Sequence, residues 1–166
     1  MRTILFSPGQ DIRTAATAFF ATPSVPVKLN CYGLSDPGIV DALLAHHAAG
    51  DPVIVPCDRT QAAGASDKVQ LGRLTAAGVE LHITSSPTGE IDHHKYAIVG
   101  SAVLYGSYNF SMLAQSEDNA CVIGEDDPEV VALFEANFAT CYAWAVAHPE
   151  TAELYAGETL NAEASE

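Results

Sequence analysis

Short apolar runs of strand length alternate with helical segments along most of this chain, and this alternation is the feature that most constrains its fold. Val53-Ile54-Val55 is one such run, whereas Pro128 to Ala145 places apolar side chains along one side of a long helix. Strands alternating with helices predict an α/β fold with helices on both faces of a sheet. Ser101 to Tyr105, followed after a turn by Ala120 to Ile123, predicts antiparallel neighbours. We therefore predict a three-layer α/β/α sandwich with a mixed central β-sheet.

Capping and turn residues predict where the elements begin and end. Asp11 is a suitable N-cap for a helix over Ile12 to Ala21. A second helix is predicted to begin at Asp36-Pro37 and to end at Gly50, because proline is tolerated in the first helical turn and glycine commonly follows the last.

Two further segments lie next to the residues that are discussed below as candidate site residues. The small and polar residues Arg59 to Asp67 predict a loop, and Ile91 to Val99 predicts one continuous strand. No linker or repeat interrupts residues 1–148, which we interpret as one domain. The acidic, alanine-rich residues 149–166 are interpreted as a C-terminal tail.

Composition excludes several classes of protein. The 166 residues include 21 Asp and Glu against 7 Lys and Arg, a formal net charge of −14, and 48% are hydrophobic, which excludes a disordered chain. No apolar run reaches the ~18 residues of a membrane span, and the first residues lack the apolar core of a secretory signal. The four cysteines have no CxxC spacing, which argues against a structural zinc site and favours reduced thiols in a cytoplasmic protein.

The strong acidity disfavours unspecific adhesion to nucleic acid or to an anionic membrane, but it is compatible with a local basic groove. Arg59, Lys68 and Arg73 lie around the segment that follows the Val53-Ile54-Val55 run. We predict that Arg59 and Lys68 contact the substrate there.

The segment Ile91 to Gly100, followed by Gly106-Ser107-Tyr108-Asn109, carries the chemistry. On a strand, His93 and Lys95 project from one face, while His94 points away. A neutral imidazole can attack phosphorus, and an ammonium group can neutralise the charge that builds on the phosphate oxygens. Ser107 and Asn109 can supply a hydroxyl and an amide to the same oxygens, and the aromatic ring of Tyr108 is a candidate for stacking on a substrate.

These residues resemble the phospholipase D superfamily, and specifically its short, single-motif bacterial endonuclease branch. The family signature is H-x-K-x4-D followed by G-S-x-N on the next strand. His93-His94-Lys95 matches the first half, and Gly106 to Asn109 matches the second. Weaker similarities extend over nearly the whole chain, in the same order.

Two positions depart from the family pattern. The motif aspartate is expected five residues after Lys95, where this chain has Gly100, as if the hairpin had been shortened. The resemblance implies that this aspartate is mainly structural, so the hairpin is affected more than the chemistry. The family also has a carboxylate that orients the catalytic histidine, and we assign this role to Asp118, with Glu117 as the alternative.

The resemblance implies a metal-independent endonuclease that hydrolyses DNA or RNA without a cofactor. The family chemistry needs two His-x-Lys motifs and this chain has one, so a homodimer with a shared active site is implied. One His93 would form a phosphohistidine, and the second would protonate the leaving oxygen. Two alternatives stay open: a phospholipase D-type lipid phosphodiesterase, favoured by the acidity, and an inactive interaction module, favoured by the missing aspartate.

Overall fold

A seven-stranded mixed sheet forms the centre of the molecule in the computed structural model, which describes residues 2–150. Helices α1, α2 and α4 cover one face and α5 covers the other, as predicted for an α/β/α sandwich. The elements are β1 (Thr3–Ser7), α1 (Ile12–Phe20), β2 (Val27–Cys31), α2 (Pro37–Ala49), β3 (Val53–Asp58), α3 (Arg59–Ala62), α4 (Ala65–Ala77), β4 (Glu80–Thr84), β5 (Lys95–Val99), β6 (Ala102–Gly106), β7 (Asn119–Glu125) and α5 (Pro128–Ala147).

The strand order is β1-β7-β6-β5-β2-β3-β4. Strands β2, β3 and β4 are parallel, and the remaining pairs are antiparallel, including β6 with β7. The prediction of a mixed sheet is therefore confirmed. Because β5 runs antiparallel to β2, the N-terminal end of β5 lies at the same edge of the sheet as the C-terminal ends of β2 and β3.

The capping residues act as predicted. The Asp11 carboxylate accepts a hydrogen bond from the Thr14 N–H at the start of α1, and Asp36 accepts one from the Gly38 N–H at the start of α2. Gly50 ends α2 with a φ of 89°, in the left-handed region that glycine adopts without strain.

Two predictions of local structure are wrong. The segment Arg59 to Asp67 is not a loop, because α3 begins directly after β3 and α4 begins at Ala65. Asp58 caps α3 by accepting from the Thr60 N–H, which allows this immediate change from strand to helix. Strand β5 begins only at Lys95, because the Asp92 N–H bonds to the Asp58 carboxylate rather than to a strand partner.

Helix α5 is long and apolar enough, by length and composition alone, to cross a membrane. The expectation that no segment of the chain has the length and apolar composition of a membrane span is therefore wrong. One side of α5 packs on the sheet, where Phe138 is buried with Tyr96 and Ile98. Glu135 on the same helix forms an ion pair with Lys28 of β2.

The domain boundary at residue 148 stays a prediction. The described residues form one sheet with its helices, and α5 ends at Ala147. Residues 151–166, most of the predicted tail, lie outside the described part of the chain.

Candidate active site

One edge of the sheet brings together residues that are far apart in the sequence. Cys31, the last residue of β2, pairs with Cys57 near the end of β3 and with Lys95 at the start of β5. Tyr96 pairs with Tyr105 of β6, and the same register places Gly106 opposite Lys95. The two halves of the predicted motif therefore meet at this edge.

Lys95 is buried there but has no carboxylate partner. Its ammonium donates to the His93 carbonyl oxygen at 2.9 Å and lies 4.8 Å from the centroid of the Tyr32 ring. Burial lowers the pKa of Lys95 from its ordinary value. Of the 7 Lys and Arg residues, five form ion pairs with carboxylates: Arg2, Arg13, Lys28, Arg59 and Arg73. Lys95 forms no such pair within residues 2–150, although the charges of Asp92 and Asp58 partly oppose the lowering of its pKa. No carboxylate in that range therefore holds its ammonium in an ion pair that an anionic ligand would have to displace.

The imidazole of His93 is exposed at the same edge. Its ring lies edge-on to Tyr32, with centroids 4.5 Å apart. Tyr32 therefore contacts both His93 and Lys95, and its hydroxyl accepts a hydrogen bond from the Gln61 side chain at 2.9 Å. Sequence reasoning missed Tyr32, although its place directly after β2, at the carboxyl end of a parallel strand, was a usable signal.

Asp58 fixes the backbone that precedes His93. This fully buried carboxylate accepts from the Asp92 N–H at 2.7 Å through one oxygen and from the Thr60 N–H through the other. The segment carrying His93 is thus anchored to the end of β3. Sequence reasoning also missed this residue, because the contact joins positions 34 residues apart.

Ser107 and Asn109 lie after β6, as the motif predicts. The Ser107 hydroxyl donates to the Asn119 side chain at 3.0 Å and accepts from the Ala120 N–H, which ties the end of β6 to β7. A Cβ atom at Gly106 would lie 2.2 Å from the Ala120 carbonyl oxygen, so this close approach requires glycine.

The side-chain oxygen of Asn109 is buried and has no hydrogen-bond partner among residues 2–150. It belongs to a residue that lines a cavity of about 180 Å³ together with Tyr32, Gln61 and Leu113. A buried amide oxygen without a partner costs free energy, which a ligand that donates a hydrogen bond would recover.

Three predicted site residues are not placed as their predicted roles require. Tyr108 is 1% exposed and belongs to the larger core cluster, so the expectation that its ring stacks on a substrate is wrong. Asp118 is exposed, and the side chains of Asp118 and Glu117 form no hydrogen bond or ion pair with His93 in the described part of the chain. Both residues lie between a short 3₁₀ helix, Leu113–Ser116, and the start of β7 at Asn119, and neither carboxylate bonds to His93 within residues 2–150 of one subunit.

The two predicted substrate-binding cations lie on the helices after β3. Arg59 begins α3 and forms an ion pair with Glu150 at 2.9 Å, so part of its charge is compensated. Lys68 lies in the first turn of α4, next to Ser66 and Asp67, which line the Asn109 cavity.

The shortened hairpin at Gly100 forms as predicted. Val99 pairs with Ala102, so only Gly100 and Ser101 make the turn between β5 and β6. Gly100 has a φ of 59°, where a side chain would be strained, and a Cβ there would also contact Val25. Glycine thus closes the hairpin at the position where the family motif has aspartate.

His94 points away from His93, as strand alternation predicts. Its Nδ1 atom lies 2.5 Å from an Asp92 carboxylate oxygen, and its ring is edge-on to Tyr96 of β5. The Asp92 hydrogen bond is the main cause that raises the pKa of His94 to about 10, and Cys141 contributes in the same direction.

Comparison with known proteins decides the family. A family model described as cardiolipin synthase, PLD-like domain, matches residues 19–142. The chain belongs to the phospholipase D superfamily. It is 31% identical over 113 residues to the mitochondrial cardiolipin hydrolases of Xenopus tropicalis and Xenopus laevis, a match that covers 68% of this chain and 52% of each relative. The chain thus spans about half the length of the curated relatives it matches.

Solved structures agree on the phospholipase D fold. Nuc from Salmonella typhimurium, a phospholipase D family member, superposes with a TM-score of 0.76 at 20% identity, covering 87% of this chain and 95% of that one. NucT from Helicobacter pylori superposes with a TM-score of 0.75 at 15% identity, covering 87% of this chain and 96% of that one. The superfamily and the α/β fold expected from the motif are confirmed.

Proposed function

We propose that this chain is a metal-independent phosphodiesterase that cleaves nucleic-acid phosphodiester bonds with His93 as its nucleophile. The observation that carries the proposal is the exposed imidazole of His93 beside Lys95, which forms no ion pair with a carboxylate within residues 2–150. In a chain with a net charge of −14, such a cation at an open edge favours an anionic group such as a phosphate.

The reaction has two steps. A neutral His93 nitrogen attacks phosphorus, the bond to the leaving oxygen breaks, and that oxygen takes a proton from a second imidazole. Water then attacks the phosphohistidine and gives a proton to the second imidazole, which releases the phosphate product and regenerates both histidines. Lys95, Ser107 and Asn109 stabilise the charge on the phosphate oxygens.

The second imidazole is His93 of another copy of this chain, because the chain has only one His-x-Lys motif. Large exposed apolar residues support a dimer contact beside the site: Phe6, Ile91, Met112 and Leu113 are 45% to 71% exposed. Each lies within a few residues of the strand ends or loops that form the site edge. A carboxylate such as Asp118 could then orient His93 only across the dimer contact.

Nucleic acid is the proposed substrate class. The single-motif sequence pattern resembles the bacterial endonuclease branch, and the fold match covers nearly the whole of two short bacterial chains. Arg59 and Lys68 lie on the helices next to the site and could follow a phosphate backbone. We also propose a cytoplasmic location, which the four cysteines support because all are free thiols.

A lipid phosphodiester is the second candidate. The relatives with 31% identity are named cardiolipin hydrolases, and the apolar residues beside the site would suit acyl chains as well as a dimer contact. An acidic chain also attracts nucleic acid weakly.

The deciding experiment offers the purified protein three substrates in EDTA: supercoiled plasmid, single-stranded DNA or RNA, and vesicles containing cardiolipin. We expect cleavage of nucleic acid and none with His93→Ala. Cleavage of cardiolipin alone would favour the second candidate. Activity lost in EDTA and restored by Mg²⁺ or Zn²⁺ would refute the histidine mechanism, and no turnover of any phosphodiester would favour an interaction module.

Subunit mixing tests the shared site. If each chain held an independent site, a dimer of one wild-type and one His93→Ala chain would keep about half the rate, because independent sites add. If the two His93 side chains divide the roles of nucleophile and acid, the mixed dimer is nearly inactive. The rate of a purified, differently tagged heterodimer measures this, and a half-rate heterodimer or a fully active monomer would contradict the proposal.

A further inference from the structure

Behind His93, on the α5 side of the sheet, three potential metal ligands converge. They are a carboxylate oxygen of Asp92, a ring nitrogen of His94 and the thiol of Cys141, and all these atoms lie within 4.8 Å of one another. Asp92 and Cys141 are 2% and 3% exposed, whereas the His94 side chain is 42% exposed. No spacing in the sequence indicated this cluster, because Cys141 comes from α5, far along the chain.

We propose that Asp92, His94 and Cys141 form a binding site for a zinc-type divalent cation. Thiolate, imidazole and carboxylate are the three donor types that zinc uses, and zinc sites with three protein ligands leave the fourth position to water. A surface cleft of about 270 Å³, lined by His94, Tyr96, Phe134 and Asn137, gives access from solvent on the side of His94. The mechanism proposed above uses none of the three ligands, so this inference stands apart from it.

The neighbouring contacts hold the ligands in place. The Asn137 side-chain oxygen accepts from the Cys141 thiol at 3.7 Å and from the Tyr96 hydroxyl at 2.7 Å. The backbone of Asp92 is anchored by Asp58. Such outer hydrogen bonds orient metal ligands in known sites. In a tetrahedral zinc site the ligand atoms are about 3.3 to 3.8 Å apart, so side-chain adjustments of about 1 Å complete the geometry.

Binding exchanges protons for the cation without oxidation or reduction. The thiol proton of Cys141 and the proton shared by His94 and Asp92 leave to solvent, and the cation forms bonds to sulfur, nitrogen and oxygen in their place.

Cobalt(II) provides a direct test, because it replaces zinc in such sites and its thiolate complexes absorb in the near ultraviolet. The untagged full-length protein, stripped with EDTA and dialysed, is titrated with Co²⁺ and then with Zn²⁺. We expect a thiolate charge-transfer band that saturates at one Co²⁺ per chain and disappears when Zn²⁺ displaces it.

Matched variants assign the ligands. Cys141→Ser should abolish the band, and His94→Gln should weaken Co²⁺ binding by more than about tenfold. Cys121→Ser and His82→Gln, which alter a buried cysteine and a histidine outside the cluster, should leave binding unchanged. If Cys141→Ser does not fold, Co²⁺ binding by His94→Gln, which alters a half-exposed side chain, decides whether the cluster binds the cation. A protein without the band, a band that survives in Cys141→Ser, or Co²⁺ binding that His94→Gln leaves unchanged overturns the proposal.

Discussion

His93 and His94 are neighbours in the sequence but have different surroundings. His93 is exposed beside the ammonium of Lys95, which forms no ion pair within residues 2–150, whereas His94 is bonded to Asp92 on the other side of the sheet. Because Asp92 raises the pKa of His94 to about 10, His94 carries a proton at neutral pH and cannot attack phosphorus. The extended backbone just before β5 thus places a candidate nucleophile and an ion pair on opposite sides. The comparison predicts which substitutions stop the reaction.

The largest effect is expected for His93→Ala. Without the imidazole there is no nucleophile and no acid for the leaving oxygen, so the rate should fall by ~10⁴-fold or more. Initial rates with a chromogenic phosphodiester in EDTA measure this, and an unchanged unfolding temperature excludes a folding defect. Retention of a tenth of the wild-type rate would show that His93 is not the nucleophile.

Lys95→Met should follow, with a fall in kcat of roughly 10²- to 10³-fold, the usual loss for one electrostatic donor to a transition state. The matched control is Lys28→Met, which removes a cation from neighbouring β2 whose charge is paired with Glu135. The control should keep its rate. Equal losses in both variants would mean that total charge, rather than the place of Lys95, determines the rate.

Asp58→Asn should have a smaller effect of about 10- to 10²-fold on kcat with KM nearly unchanged. The Asp92 and Thr60 N–H groups donate to different oxygens of Asp58, and asparagine replaces one of these oxygens with an NH₂ donor, so one of the two bonds is lost and the His93 segment shifts. Asp11→Asn, at the cap of α1, is the control because asparagine caps helices as well as aspartate does. A change in KM alone would contradict the positioning role.

The sequence predicts what depends on local patterns and misses what depends on distant contacts. Caps such as Asp11 and Gly50 and the order of His93 and Lys95 follow from neighbours in the chain. Tyr32 reaches His93, and Asp58 reaches the Asp92 N–H that precedes it, only because β2 and β3 end where β5 begins. Tyr108 was misjudged because its motif position says nothing about which side of the loop faces the core.

The smallest effect on the rate is expected for His94→Gln, which should instead change how the stability of the protein depends on pH. His94→Gln should leave the rate nearly unchanged, because His94 lies on the other face from His93.

In the folded, metal-free protein Asp92 raises the pKa of His94 from 6.5 to about 10. A raised pKa means that the stabilisation is fully present below about pH 6.5 and is lost as pH rises through about 10. The wild-type advantage in urea midpoint over His94→Gln, measured in EDTA, should therefore shrink across this range. Asp92, Cys141 and Tyr96 face the His94 ring in the wild type and are unchanged in His94→Gln, so the comparison removes only the imidazole. Since the side chain is 42% exposed, solvent screening keeps the advantage small. An advantage that is constant or grows with pH would contradict the ion pair.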